Sequence, residues 1–168
     1  MGKEWKRNIA DRYWATNFKG DLKEQVAGTD RPEERVQKDI ESLEKNLVLR
    51  DRILKFGGHE VCMPAMEEDI EILLAHGEIW LPKGVLMRRG RACGCHENTA
   101  RLWAANKDKV TIATGYYLCE DGMWRAHSWC LKANSRGGRV VETTNKAVLY
   151  YGVCLDEEES LERYEAAW

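Results

Sequence analysis

The spacing at which hydrophobic residues recur changes near residue 78, and this change restricts the fold more than any other feature of the sequence. Before it, apolar residues recur at steps of three, four and seven, which is the spacing of one helix face. From residue 110 to residue 155, short apolar segments alternate with turn-forming residues, as the strands of a sheet do. The sequence therefore predicts an α+β domain, with helices packed on one face of an antiparallel sheet.

Two helices are predicted in the first half of the chain. The first begins near Pro32 and continues to about Phe56, and the second covers residues 65–76, with acidic residues in its first turn. The apolar stripe of the first helix consists of Val36, Ile40, Leu43, Leu47 and Leu54. This stripe fits packing on the helix's own domain, and it also fits helix-mediated self-association through residues 36–54.

The second half is predicted to hold a helix, four strands and a final helix. The first of these helices covers residues 95–106, and the final one covers residues 156–164 with Asp156 as its cap. The strands are the segments from Val110 to Cys119, Met123 to Lys132, Arg139 to Thr144 and Ala147 to Leu155. Turns between successive strands favour an antiparallel meander. We expect residues 1–57 to form a helical segment packed on an α+β core of residues 58–168.

Charge and hydrophobicity argue against several classes of function. Lys and Arg number 26 and Asp and Glu number 28, so the formal charge of -2 gives no general attraction to nucleic acid. No apolar run reaches the roughly 18 residues that a membrane-spanning helix needs, and the first residues lack the apolar stretch of a secretion signal. We therefore expect a cytoplasmic protein whose six cysteines are thiols and not a disulfide framework.

A cysteine stands where a glycine-containing loop enters a helix. The segment from Gly90 to Trp103 reads GRACGCHENTARLW, and Cys95 begins its helical part. Unpaired N–H groups and the positive end of the helix dipole stabilise a thiolate at such a position, and they can also hold a developing oxyanion. Cys95 is therefore the candidate nucleophile, with Cys93 as an alternative in the same loop.

The strands supply an imidazole and a carboxyl group for this thiol. A cysteine nucleophile needs a base that removes and returns a proton, and a third group that fixes the tautomer of the base. His127 lies in the strand segment WRAHSW, and Glu142 lies in VVETT on the next predicted strand. Because hairpin pairing brings neighbouring strands side by side, we expect Glu142 to orient His127.

The order of these motifs resembles the core of the papain-like and transglutaminase-like cysteine peptidase superfamily. The similarity covers residues 88–152 and consists of a cysteine at a helix start, His-Ser-Trp in one strand, and an acid followed by Thr in the next. It implies a papain-like fold, a triad of Cys95, His127 and Glu142, and no cofactor. Members usually carry a glutamine shortly before the cysteine, whereas this chain reads Arg88-Arg89-Gly90-Arg91 there. Backbone amides would then form the oxyanion hole.

Several residues near these motifs are candidates for substrate binding or for the wall of the site. They are Trp103, Trp124, Trp129, His96, Asn98 and Arg91. Pockets for small molecules are mostly apolar and aromatic, with a few placed polar groups. The basic cluster before the nucleophile, formed by Lys83, Arg88, Arg89 and Arg91, fits a solvated loop, and it also fits steering of an acidic substrate.

Two interpretations without catalysis remain open. Cys93, Cys95, His96 and His127 supply enough thiolates and imidazoles for a tetrahedral zinc site, although they lack the regular spacing of zinc knuckles. A catalytically inactive binding module with the same fold is the other interpretation. If the chain is an enzyme, we expect it to cleave an amide, peptide or isopeptide bond through a Cys95 acyl-enzyme, or to transamidate when an amine replaces water. Its small size suits a bacterial or phage protein.

Overall fold

The structure, a computed structural model, describes residues 33–64, 67–133 and 138–166. Within these residues it is an α+β fold of four helices and one seven-stranded sheet, so the predicted class is confirmed. The helices are α1 (Glu33–Leu54), α2 (Ile70–His76), α3 (Cys95–Ala104) and α4 (Glu157–Ala166). The strands are β1 (Glu60–Cys62), β2 (Glu78–Trp80), β3 (Leu86–Met87), β4 (Val110–Leu118), β5 (Met123–Lys132), β6 (Arg139–Glu142) and β7 (Leu149–Cys154). Residues 1–32 of the predicted N-terminal segment, and most of the turn predicted at residues 134–138, lie outside the described residues.

The sheet is mixed, because two of its short strands run parallel to their neighbours. Its order is β2-β7-β4-β5-β6-β3, with β1 also beside β5. β1 is parallel to β5 and β3 is parallel to β6, whereas β4, β5 and β6 follow one another antiparallel. The prediction of a purely antiparallel meander is therefore right for β4 to β6 and wrong for β7, which returns to the far side of β4.

Two glycines explain why β7 can lie beside β4. Gly115 of β4 and Gly152 of β7 are register partners. A Cβ on Gly115 would lie 2.3 Å from the carbonyl oxygen of Tyr151, and a Cβ on Gly152 would lie 2.1 Å from the carbonyl oxygen of Thr114. Any side chain at either position would push the strands apart, and turn residues alone do not reveal such a contact.

β5 has a gap on the side that faces away from β4. On that side β1 pairs with residues 123–125 and β6 pairs with residues 130–132, which leaves residues 126–129 without a strand partner among the described residues. α3 packs at this gap, where the Thr99 hydroxyl donates a hydrogen bond of 3.2 Å to the carbonyl oxygen of Ser128. The gap thus brings the start of α3 against the middle of β5.

The two faces of the sheet bury separate apolar clusters. The face covered by helices buries, among others, Leu49, Ile53, Leu73, Trp103, Trp124 and Cys130. The opposite face buries Trp80, Ala113, Trp129, Leu131, Val140, Ala147 and Tyr150. Because successive residues of a strand point to opposite faces, β5 sends Cys130 to the helix-covered face and His127 to the other.

Within α1 the buried positions agree with the predicted stripe only in part. The helix has close to the predicted ends, and Ile40 of the stripe is buried. The two residues with no exposed surface, Leu49 and Ile53, do not belong to the stripe. Leu47 and Leu54 are only half-buried. Leu49 and Ile53 are about one helical turn apart and share a face, and at 3.6 residues per turn that face lies roughly 120° around the helix from the predicted stripe. Of the helices in residues 33–64, 67–133 and 138–166, none is long and apolar enough to cross a membrane.

Helix starts agree with the prediction at α4 and differ from it at α2. Asp156 caps α4, because the Glu159 amide donates a hydrogen bond of 2.9 Å to Asp156 Oδ1, and the Glu159 carboxylate accepts one of 2.8 Å from the Asp156 amide. The start of α2 at residue 65 is wrong, since the helix begins at Ile70. The Glu67 carboxylate accepts hydrogen bonds from the Tyr116 hydroxyl and the Asp69 amide, which holds this acidic segment as a turn.

Candidate active site

The loop before α3 is held to the end of β6 by its backbone. The Arg88 amide donates a hydrogen bond of 2.8 Å to the Glu142 carbonyl oxygen, and the Gly90 amide donates one of 2.9 Å to the Thr143 carbonyl oxygen. Cys93 has a left-handed backbone with a φ of 59°, which is uncommon for a residue other than glycine. The chain then enters α3 at Cys95, with Gly94 as the N-cap. The loop geometry thus places the Cys95 side chain at the first position of a helix.

Asn98 closes this loop from within α3. Its side-chain amide donates a hydrogen bond of 2.7 Å to the Arg91 carbonyl oxygen, while its Oδ1 accepts one of 2.9 Å from the Arg91 amide. Asn98 is buried, and a Cβ on Gly90 would lie only 2.3 Å from Asn98 Cγ. Asn98 therefore acts as a clamp on the loop before Cys95, residues 88–94, whereas the Arg91 side chain is 81% exposed.

His127 is a buried imidazole at the gap in β5. It is 2% exposed, and its Nε2 lies 2.9 Å from Glu142 Oε2. Interaction with the Cys95 side chain is one of the causes that raise its pKa. Since Nε2 is engaged by Glu142, the nitrogen left for the thiol is Nδ1. The Tyr117 ring lies 4.2 Å from the imidazole, centroid to centroid, and the Trp129 ring is stacked on it at 6.2 Å, so the ring orientation is fixed.

Glu142 is a fully buried carboxylate whose oxygens are surrounded by donors. Oε1 accepts from the amides of Thr143 at 2.7 Å and Thr144 at 2.8 Å, and from the Thr144 hydroxyl at 3.2 Å. Oε2 accepts from His127 and from the Tyr150 hydroxyl at 3.1 Å. Burial alone would raise the pKa of Glu142, but the hydrogen bond from His127 and the two backbone amides lower it. Glu142 is therefore held as an anion beside His127.

Cys95 and His127 exchange their usual order of acidity. Burial raises the pKa of the Cys95 thiol, but hydrogen bonds from His127 and His96 outweigh this effect and lower the pKa to about 5. Burial lowers the pKa of His127, but hydrogen bonds with Cys95 and Glu142 outweigh it and raise the pKa to about 9. Between these two values the proton resides on the imidazole, so the pair is a thiolate and an imidazolium.

Buried cysteines elsewhere in the fold show the opposite shift. Burial raises the pKa of Cys130 to about 12, and it also raises the pKa of Cys62 above its usual value. Cys93 is exposed. The lowered thiol pKa of Cys95 thus contrasts with the raised pKa of these two buried thiols.

The three tryptophans and His96 occupy different places. Trp129 lies beside His127, as expected for the wall of a site. Trp103 and Trp124 instead pack in the core on the helix-covered face, where Trp124 Nε1 donates a hydrogen bond of 2.8 Å to the Gly57 carbonyl oxygen. His96 is exposed, and its Nδ1 lies 2.7 Å from the hydroxyl oxygen of Ser128.

Three residues of the site were missed by reasoning from the sequence. Tyr117 packs on the base, Tyr150 bonds to the acid, and Ser128 bonds to His96. Ser128 follows His127 directly and could have been considered for that reason. Tyr117 and Tyr150 are register partners across β4 and β7, which becomes visible only once the position of β7 is known.

A cleft of about 410 Å³ lies on the outer side of α3, between this helix and the nucleophile loop. Arg88, Arg91 and Arg101 line it together with Glu97. The Glu97 carboxylate accepts a hydrogen bond of 2.5 Å from Arg101 and lies 4.0 Å from Arg91. Of the basic cluster that the sequence places before Cys95, Glu97 thus lies near one member, Arg91.

The residues named for a zinc site do not assemble into one. Across the part of the chain that the structure describes, no three His, Cys, Asp or Glu residues are grouped so as to hold a metal ion. His96 instead hydrogen-bonds to Ser128, and His127 hydrogen-bonds to Glu142. Comparison of the chain with protein-family models, with curated proteins and with solved structures gives no match.

Proposed function

We propose that this protein is a cysteine hydrolase or acyltransferase that acts on an amide, peptide or isopeptide bond, with a papain-like arrangement of its site. The observation that supports this proposal is the buried pair of His127 and Glu142, whose Nε2 and Oε2 atoms are 2.9 Å apart. Beside it, Cys95 lies at a helix N-terminus, and interaction with His127 is among the causes that lower its thiol pKa. Nucleophile, base and orienting acid are the three groups that thiol-based acyl transfer requires. The order of these groups along the chain is also that of the superfamily which the sequence resembles.

The first half of the reaction forms an acyl-enzyme. The Cys95 thiolate attacks the carbonyl carbon, and the carbonyl oxygen takes up the negative charge of the tetrahedral intermediate. The N–H groups of the first helical turn have no partner within α3, so they can donate to this oxygen. The carbon–nitrogen bond then breaks, and the proton on His127 Nδ1 passes to the leaving amine.

The second half returns the enzyme to its starting state. Neutral His127 removes a proton from water, and the resulting hydroxide attacks the thioester carbon. The carbon–sulfur bond breaks, which releases a carboxylic acid and restores the thiolate beside an imidazolium. Glu142 keeps the imidazole in one orientation and stabilises its charged form throughout. When an amine enters in place of water, the same steps give transamidation.

Mass-spectrometric mapping of iodoacetamide labelling at limiting reagent tests this proposal. At about pH 6 we expect Cys95 to react at least about ten-fold faster than Cys93. The larger thiolate fraction of Cys95 outweighs the lower intrinsic nucleophilicity of its thiolate. Cys93 is the internal control, since it is exposed and lies in the same loop. Equal, slow labelling of both thiols would count against an enzyme and favour the inactive binding module. Preferential labelling of Cys95 would justify a screen of fluorogenic amides and isopeptides.

A further inference from the structure

The cleft on the outer side of α3 begins within one helical turn of Cys95. Asn98 lines the cleft and is three residues after Cys95 on α3, so their Cβ atoms are about 5–6 Å apart. Arg101, also in the lining, is six residues after Cys95, which is about 9 Å along the helix axis. The loop before Cys95 lines the cleft with Gly90 and Arg91. A molecule whose reacting carbon is at Cys95 can therefore place a neighbouring group in the cleft.

Arginines outnumber carboxylates in this cleft by three to one. The carboxylate is that of Glu97, which accepts a hydrogen bond of 2.5 Å from Arg101 and lies 4.0 Å from Arg91. Arg88, the third arginine, forms no ion pair with a carboxylate among the residues that the structure describes. Because one glutamate cannot neutralise three guanidinium groups, the cleft has a surplus of positive charge and attracts anions.

Hydrogen bonds fix the main chain at Arg88 and Arg91 without using either side chain. The Arg88 amide donates a hydrogen bond of 2.8 Å to the Glu142 carbonyl oxygen, and both backbone groups of Arg91 bond to the Asn98 side chain. Both arginines are exposed. The base of each side chain is therefore held beside the cleft, while its guanidinium group is accessible to a ligand. A guanidinium group can bind a carboxylate through two parallel hydrogen bonds.

The size and lining of the cleft favour one carboxylate on a peptide over a polyanion. At about 410 Å³, the cleft is at the small end of the range for pockets that hold small molecules. Glu97 would repel the successive phosphates of a nucleic acid, whereas a single carboxylate needs only Arg88 and Arg91. Leu102 adds an apolar contact to the lining, which suits the methylene groups of an acidic side chain.

We propose that this cleft is a subsite of the Cys95 site and binds the acidic side chain of a peptide substrate, with Arg88 and Arg91 as the residues that select it. Since one extended residue spans about 3.3 to 3.6 Å, the acidic residue is the first or second from the reacting bond. Of the basic cluster in the sequence, Lys83 and Arg89 do not line the cleft. The inference deepens the proposed function and rests on it, because Cys95 supplies the reaction and the cleft supplies the selectivity.

Covalent peptide probes test this selectivity in the full chain. Each probe has a chloroacetyl group at its amino end or a chloromethyl ketone at its carboxyl end, with Glu or Gln at the first or second position. In every probe the Cys95 sulfur displaces chloride, so the two members of a Glu and Gln pair differ by one charge. We expect the Glu member of at least one pair to label Cys95 at least about five-fold faster at limiting concentration. This advantage should shrink in about 1 M salt, where the Debye length is about 3 Å.

Three arginine variants separate the cleft from the general charge of the loop. Arg88→Gln and Arg91→Gln each remove one positive charge from the cleft, and Arg89→Gln removes the same charge from a residue that does not line it. We expect the ratio of the Glu and Gln labelling rates to fall several-fold in the first two variants and to stay unchanged in the third. The ratio cancels any change in the reactivity of the thiol. Equal loss in all three variants, or a wild-type ratio near one, would overturn the inference and leave the proposed function intact.

Titration of Cys95→Ala with the same peptides, made without a reactive group, gives a readout that does not depend on the thiol. We expect the Glu peptide, and not the Gln peptide, to shift the NMR signals of the Arg88 and Arg91 Nε–H groups, which the two Gln variants identify. Wild-type Cys95 that labels no faster than Cys93 would overturn the proposed function, and this titration would still show whether the cleft binds the carboxylate. Tighter binding of a short single-stranded DNA than of the Glu peptide would overturn the assignment to a peptide.

Discussion

Tyr150 and His127 hydrogen-bond to the same oxygen of Glu142, at 3.1 and 2.9 Å. The Tyr150 hydroxyl oxygen also accepts from the Ala147 amide at 3.3 Å. Tyr150 therefore joins the loop after β6 to the carboxylate, while His127 is the proposed connection from the carboxylate to Cys95. One oxygen thus serves both the fold and the proposed chemistry, and the two roles can be separated by substitution.

Tyr150→Phe is expected to cost stability and to leave reactivity nearly unchanged. The buried Ala147 amide loses its acceptor, which costs about 1 to 3 kcal/mol, whereas Glu142 keeps four of its donors. Urea unfolding measures the first effect, and the pH midpoint of Cys95 labelling measures the second. A midpoint that moves upward by a full pH unit would instead make Tyr150 part of the system that sets the thiol pKa.

Glu142→Gln is expected to retain the fold and raise the pKa of Cys95. The amide oxygen of glutamine can still accept from Thr143 and Thr144, while its NH₂ group faces His127 Nε2. A neutral imidazole then accepts at Nε2 and carries its proton on Nδ1, so the imidazolium loses its stabilising charge.

The pH profile of Cys95 labelling should shift to higher pH in Glu142→Gln by about one unit or more. Glu142→Ala is the comparison, since it leaves several buried donors unpaired and should cost about 3 kcal/mol or more of unfolding free energy. Unchanged labelling in a folded Glu142→Gln protein would show that Glu142 has no electrostatic effect on the pair.

The free energy of unfolding should rise between about pH 5 and pH 6.5 because of the Cys95–His127 pair. The folded thiol has a pKa of about 5, below its usual 9.0, so its contribution is lost as pH falls toward 5. The folded imidazole has a pKa of about 9, above its usual 6.5, so its contribution is lost as pH rises toward 9. Above pH 6.5 the two changes oppose each other and cancel, which confines the net effect to the lower range.

Urea unfolding of the wild type and of Cys95→Ala at the two ends of this range measures the effect. Without solvent screening, the free energy of unfolding would rise by about 2 kcal/mol over this interval. We expect a rise of about 1 kcal/mol, because the thiol is partly exposed and screened. Cys95→Ala should lack this rise, since the unfolded imidazole loses only about half a proton by pH 6.5 and this loss, for a group whose folded pKa is raised, lowers the free energy of unfolding. A rise of equal size in the variant would show that the effect comes from carboxyl groups elsewhere in the protein and not from the Cys95–His127 pair.

Gly90→Ala should disrupt the loop that carries the nucleophile, whereas Gly94→Ala should be tolerated. A Cβ on Gly90 would lie 2.3 Å from Asn98 Cγ, so Asn98 must release the backbone of Arg91. At Gly94 the nearest atom to a new Cβ is 3.5 Å away, which is an ordinary contact. We expect a loss of about 1 to 3 kcal/mol and several-fold slower Cys95 labelling for the first variant alone. Equal behaviour of the two variants would contradict the role of the clamp.

The sequence was sufficient to predict the elements that carry local signals. Met123–Lys132 is recovered at both ends, because alternation and flanking turns define a strand without reference to the rest of the fold. Pairing of β5 with β6 brings His127 to Glu142, and it could be inferred because only residues 133–138 separate the two strands in the sequence.

Features that depend on distant parts of the chain were not predictable in this way. β1 and β3 have only three and two residues, too few to show a period, and both pair in parallel with strands far along the chain. Trp124 was expected at the site because it is close to His127 in sequence. Their odd separation of three residues sends them to opposite faces of β5, which is a consequence of strand geometry.

The end of β6 bonds to both sides of the proposed site, through its main chain to the loop before Cys95 and through the Glu142 carboxylate to His127. A thermal displacement of this strand end would therefore carry the sulfur and the imidazole in the same direction, and their separation would change little. We expect their motions to be correlated, so that fluctuations of the edge of the sheet move the two groups as a unit. Precision of the reacting geometry then depends on the stiffness of a few short bonds and not on the rigidity of the whole molecule.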